Sequence, residues 1–203
     1  MTPVSPRAAL KRRFYVPHTR LPEGRMVDLP GRGATYVTDT PGPTPDAPTV
    51  VLLHAVGCTG LLTWFPSIEP LSRRYRVVTL DQRWHGRGIQ SEEFTLVDCA
   101  DDVAALVEVL GLGRVIVAGF SMGSIVAQRV WRQHPEMVAG IVLCATTDRF
   151  RSTVAERLFH QGMETTMLAA RGLSRSRTTA RAARAAGRAT NRSLGIAPND
   201  IHD

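Results

Sequence analysis

Four short apolar runs recur along the chain: TVVLLH (49–54), YRVVTL (75–80), RVIVAG (114–119) and VAGIVLCAT (138–146). Each is continuous rather than alternating, which suits a strand covered on both faces. Helix-compatible segments lie between them. The first covers about Gly60–Arg73 and is interrupted at Pro66 and Pro70. In the second, Thr95 and Asp98 make a capping-box-like start, Leu96, Ala100, Val103, Val107 and Leu110 follow at helical spacing, and Gly111 and Gly113 stop the helix. The third runs from Met122 to His134 and ends at Pro135. Strands alternating with helices predict an α/β fold: a mostly parallel sheet with helices on both faces, joined by right-handed crossovers.

The flanks carry less pattern. Residues 1–32 are rich in Arg, Pro and Gly without a clear period, and read as an extended or poorly ordered lead-in. ATYVTDT (34–40) alternates as a strand does, and PGPTPDAP (41–48) is a turn. Beyond Phe150 the signal weakens: 152–171 is helix-compatible, and Arg177, Arg181, Arg184, Arg188 and Arg192 fall three or four apart on one helical face with little apolar surface opposite. The formal charge of +7 is concentrated there, with seven arginines against two aspartates in 171–203. That basicity belongs to the tail. It comes with no recognisable nucleic-acid motif and no interleaved aromatic for base stacking, so no nucleic-acid partner is expected.

Hydrophobic residues at 43% and charged residues at 21% exclude global disorder. No apolar run reaches the roughly 18 residues of a membrane span, and the opening segment lacks the apolar middle region of a secretory signal, so a cytoplasmic protein is expected. Cys58, Cys99 and Cys144 are odd in number and form no CxxC or Cys/His grouping, which predicts reduced thiols and no metal site. Nothing calls for an organic cofactor.

Chemistry concentrates at GFSMG, residues 119–123, where Ser121 stands between Gly119 and Gly123 at a strand-to-helix junction. Side chains flanking a serine on so tight a turn would collide with the neighbouring strand and helix. The helix that follows aims backbone N–H groups at an oxyanion, Met122 being the natural donor. HAVGCTG (54–60) follows another buried strand and can supply a second N–H, from Val56. DQRWHGRG (81–88) follows the next strand on the same carboxyl-end edge, where open α/β sheets bind ligands.

These three loops, in this order, resemble the α/β-hydrolase family across roughly residues 30–150. His54, Ala55 and Val56 match its oxyanion loop; Asp81, Arg83, Trp84, His85, Gly86 and Gly88 match its DxRGHGxS loop; GFSMG matches its nucleophile elbow. The resemblance implies a nucleophilic Ser121, Met122 and Val56 as oxyanion donors, and His54, Asp81, Arg83, His85, Gly119 and Gly123 as loop support. A serine at the elbow points to ester or related acyl cleavage through an acyl-enzyme, away from dehalogenases and epoxide hydrolases, which use aspartate there. Trp64, Phe65, Trp84 and Phe120 favour a small apolar acyl-containing substrate. Four positions depart from the family pattern: Ala55 and Trp84 stand where glycine is preferred, Gly88 replaces a serine, and Ser124 follows SMG where a second glycine is frequent.

A serine hydroxyl needs a histidine to take its proton and a carboxylate to hold that histidine. In the family these follow later strands, and no convincing strand follows Thr146, so the C-terminal half of the fold reads as incomplete. Residues 33–150 are the expected core, and 151–203 the cap-like helices and arginine- and alanine-rich tail. Asp148 is the candidate acid, and His160 and His202 are candidate bases; His18 and His134 are discounted, and His85 matches a structural loop residue. The alternative is an inactive homologue or binding fragment whose exposed sheet edge, VAGIVLCAT, is covered by a second copy.

Overall fold

The computed structural model describes residues 21–146. They form one six-stranded sheet in the order β1-β2-β4-β3-β5-β6. The strands are β1 (Gly24–Leu29), β2 (Gly33–Thr40), β3 (Thr49–Leu53), β4 (Arg76–Leu80), β5 (Val115–Phe120) and β6 (Val138–Cys144). The last four run parallel; β1 and β2 form an antiparallel extension, with β2 antiparallel to β4.

All five residues of β3 are buried, because β4 and β5 flank the strand and helices cover both faces. On one face α1 (Gly60–Ser72) packs Ile68, Trp64 and Leu71 against Val50, Leu52, Val77 and Ala118. On the other, α2 (Leu96–Val109) and α3 (Met122–Gln133) enclose Val51, Leu53, Val78, Leu80, Val115 and Val117. Alternate residues of each central strand therefore feed two separate cores, which is why apolar residues dominate both faces of these runs.

The helix ends are those the sequence chemistry requires. Thr59 and Thr95 sit in extended conformation, and their hydroxyls accept from the N–H groups of Leu62 at 3.1 Å and Asp98 at 2.9 Å. After α2, Gly111 and Leu112 return their N–H groups to Glu108 and Val107, each at 3.0 Å, satisfying carbonyls the helix leaves open. α1 continues through Pro66 and Pro70 rather than breaking at them. Both prolines are exposed, as are Leu62 and Pro66 four residues before them, so the carbonyls they leave unpaired lie on the solvent side.

The lead-in differs from its expectation. Gly24–Leu29 is a strand in register with β2, Leu29 facing Gly33, and its Val27 and Leu29 join the core. Pro30 and Gly31 make the connecting turn: Gly31 has φ +73° and the Arg32 N–H donates to Leu29 O at 2.9 Å, as in a type II turn. The Pro-Gly pair was the available sequence signal. What it could not reveal is that a segment with two buried apolar residues gains its remaining stability by pairing with β2.

One buried ionic cluster joins this hairpin to the rest. Asp102, on the inner face of α2, accepts two bonds from Arg83 (2.9 and 2.7 Å) and one from Arg32 (2.6 Å), and its side chain is 4% exposed. It thereby ties the β1–β2 turn, α2 and the loop after β4 together. Removing one partner of such a group leaves a buried charge uncompensated. Asp102→Ala should lower the unfolding free energy by about 3–5 kcal/mol in urea titrations. Arg73→Ala, which breaks only the exposed 3.2 Å pair with Glu69, should change it by less than about 0.5 kcal/mol.

Candidate active site

The parallel strands end together. Leu53 of β3 is the register partner of Gly119 of β5, Leu52 that of Thr79 in β4, and Phe120 that of Cys144 in β6. The segments starting at 54, 81, 121 and 145 therefore leave the sheet at one carboxyl-end edge.

Ser121 occupies the N-cap position of α3, yet it is no ordinary cap. Its backbone is at φ 53°, ψ −114°, and its hydroxyl accepts nothing from the helix, in contrast to Thr59 and Thr95. The Ser124 N–H donates instead to the Ser121 carbonyl at 2.9 Å. The Ser121 N–H is also committed, to Cys144 O at 2.9 Å. The positive φ follows from close packing. A Cβ at position 119 would run into the backbone of Gly123 and Ser124, and one at position 123 into the Leu53 carbonyl. The turn leaves the hydroxyl of a half-buried serine free of hydrogen bonds among the described residues. The Met122 N–H, first in α3, also has no acceptor among them.

The loop after β3 closes a tight turn in which the Cys58 N–H donates to Ala55 O at 3.2 Å, with Gly57 at φ +72°. Val56 is the second residue of that turn, and its N–H has no acceptor among the described residues. His54 anchors the turn from below and is fully buried. Its Nδ1–H donates to Ala55 O at 2.7 Å, its Nε2 accepts the Gln82 N–H at 2.8 Å, and the Gln82 side chain donates to His54 O at 2.8 Å. Only the neutral ring satisfies both ring nitrogens here. Burial pulls the His54 pKa down to about 4; the facing His85 ring, 5.1 Å away, adds to that effect and the bond to Ala55 O opposes it.

The loop after β4 is held by its own side chains. The buried Asp81 carboxylate accepts the Gly60 N–H at the start of α1 and the Arg87 N–H, both at 2.9 Å, so it joins two of the loops. His85 donates from Nδ1 to Arg83 O at 2.8 Å; its Nε2 is buried without a hydrogen-bond partner among the described residues, and burial lowers its pKa. Trp84, where the family prefers glycine, has φ 66°. That strained backbone is held by the Trp84 N–H bond to Ile89 O (2.9 Å), the indole bond to Ser91 O (3.1 Å) and packing on Phe94.

Of the four aromatics expected beside the substrate, Trp64 and Phe120 lie together, and Phe120 directly precedes Ser121 in the chain. Trp64 meets Phe120 edge to face at 6.4 Å, and Phe120 is 39% exposed. Trp64 also borders an apolar groove of about 430 Å³ with Leu71, Tyr75, Ile116 and Val142. Phe65 faces a different cavity, with Leu21 and Ile68. His134 bonds Asp101 at 2.8 Å beyond the far end of α3. The candidate acid Asp148 and bases His160 and His202 lie outside the described residues. Among the described residues no imidazole or carboxylate hydrogen-bonds Ser121.

Residues 48–193 match the sequence model of the alpha/beta hydrolase fold family. The chain belongs to that family. A Mycobacterium tuberculosis protein provisionally named non-heme bromoperoxidase BpoC is 39% identical over 102 residues, 49% of this chain and 38% of that protein. An Enterobacter cloacae protein provisionally named carbamate hydrolase RutD is 31% identical over 132 residues, 61% of this chain and 49% of that protein. A thermophilic esterase from Thermogutta terrifontis superposes with a TM-score of 0.57 at 26% identity, over 68% of this chain and 51% of that one. The chain spans about half the length, or less, of the curated relatives it matches.

Several supports of this alpha/beta hydrolase site escaped the sequence reading: Asp102 and Arg32 behind Arg83, Gln82 beneath His54, and Ser124 and Cys144 beside Ser121. Asp102 left a trace, a carboxylate within the apolar stripe of α2 that requires a buried cation, and Ser124 left another as a departure from the family's glycine.

His54 makes the site acid-sensitive in a defined window. Its folded pKa near 4 lies below the usual value of 6.5, so between these the unfolded chain binds more protons and stability falls as pH falls. The contribution is fully present above about pH 6.5 and amounts to about 2 kcal/mol between about pH 7 and about pH 5. Urea midpoints across this range should fall more steeply for the native sequence than for His54→Gln.

Proposed function

We propose that this chain is a serine hydrolase that cleaves an ester or related acyl bond, with Ser121 as nucleophile. The observation that carries the reading is the uncapped serine: at a helix N-cap, where a hydroxyl ordinarily accepts an N–H, Ser121 is held at φ 53° and its hydroxyl takes no hydrogen bond among the described residues. Such strain persists only where the surroundings over-determine it, and it gathers at functional sites.

In this reading the Ser121 oxygen attacks the acyl carbon and its proton passes to a base. The tetrahedral oxyanion receives the Met122 and Val56 N–H groups, and collapse expels the alcohol and leaves an acyl-Ser121, which water then hydrolyses. Asp148 is the acid and His160 or His202 the base, so both come from the segment after β6. His54 and His85 are kept neutral and serve the loops. Trp64 and Phe120 offer an apolar surface to a small acyl group. Neither a metal nor an organic cofactor enters the reaction, and the location is cytoplasmic. A second copy covers the edge of β6, where Val142 and Leu143 are 48% and 40% exposed. No helix among the described residues is long and apolar enough to cross a membrane.

Incubating the 203-residue chain with a fluorophosphonate probe and with short- and medium-chain p-nitrophenyl esters tests the assignment. Labelling and turnover should be present and should vanish in Ser121→Ala. A folded chain that neither labels nor turns over would instead be a binding fragment of the family.

A further inference from the structure

The residue after the SMG triplet does more than replace a glycine. Ser124 is fully buried in the first turn of α3, and its hydroxyl touches three backbone groups: Gly119 O at 2.7 Å, Cys144 O at 2.9 Å and Cys144 N at 3.1 Å. A hydroxyl has one proton and two lone pairs. It therefore accepts from the Cys144 N–H while its proton is shared between the two carbonyls.

These partners lie where the β5–β6 ladder ends. Phe120 and Cys144 are the last register pair, and beyond them β5 turns into α3 while β6 reaches Ala145, a non-glycine residue at φ 51°. The Cys144 carbonyl also takes the Ser121 N–H at 2.9 Å. Ser121 and Ser124 thus grip the same peptide group of β6, one through its backbone and one through its side chain. Ser124 also holds the Gly119 carbonyl two residues before Ser121. The turn carrying Ser121 is bracketed on both sides by one buried hydroxyl.

We propose that Ser124 is a positioning residue for Ser121: its hydroxyl locks the strained turn to the end of β6 and so presents the nucleophile in its reactive orientation. The proposal rests on the reading of Ser121 as nucleophile. The clamp also fixes Cys144, the last residue of β6.

Ser124→Ala separates positioning from general stability when local amide exchange by NMR, fluorophosphonate labelling rate and ester turnover are read together. Exchange at the Ser121 and Cys144 amides should accelerate about tenfold while the Val51 and Leu52 amides of β3 do not change. The labelling rate and kcat should fall about tenfold with KM unchanged, and Ser124→Thr, which keeps the hydroxyl, should recover both. If Ser124→Ala does not fold, Ser124→Cys, whose thiol is a weak donor, is measured in the same way. Wild-type exchange and labelling rates in the variant would overturn the positioning role alone. No labelling in the native chain would overturn the nucleophile reading, and the positioning role with it.

Discussion

The pairing of β3 between β4 and β5 is the constraint on which the remaining structure depends. A strand whose five residues are all buried can lie only at the centre of a sheet with layers on both faces. Once it is there, parallel register brings Leu53, Leu80 and Phe120 to one edge, and the three loops that follow have no other place to emerge. The candidate site is in this sense a consequence of strand register.

What happens at that edge is governed by where backbone N–H groups find acceptors. Thr59, Thr95 and Ser121 all begin helices, and the two threonines spend their hydroxyls on capping. Ser121 does not, because the close approach of Gly119 to α3 and of Gly123 to β3 forces a turn in which Cys144 takes its N–H and its own carbonyl takes that of Ser124. The same accounting explains His54. Its ring is fixed as one neutral tautomer by a carbonyl on one side and an N–H on the other, and that fixed ring supports the turn bearing Val56.

Much of this was legible in the residues. The four apolar runs, the Thr95 cap, the glycines that stop α2 and the strand-to-helix setting of GFSMG depend on local chemistry, and each of these elements lies within a few residues of its expected place. β1 was not legible, because two buried residues, Val27 and Leu29, are too few to establish a period and the strand exists only through β2. Continuity of α1 through two prolines was equally hidden, since it depends on which face meets solvent.

The sequence by itself determined the fold class, the order of the elements from β2 onward and the three loops of the site, because patterns of burial and turn-forming residues act over a few positions. Only the tertiary structure decided that Asp102 gathers Arg32 and Arg83, that Gln82 fixes the His54 tautomer, and that Ser124 joins α3 to β6. These are polar contacts between residues 19 to 70 positions apart. A buried polar group must find a partner, but its identity depends on which elements the packed sheet brings together.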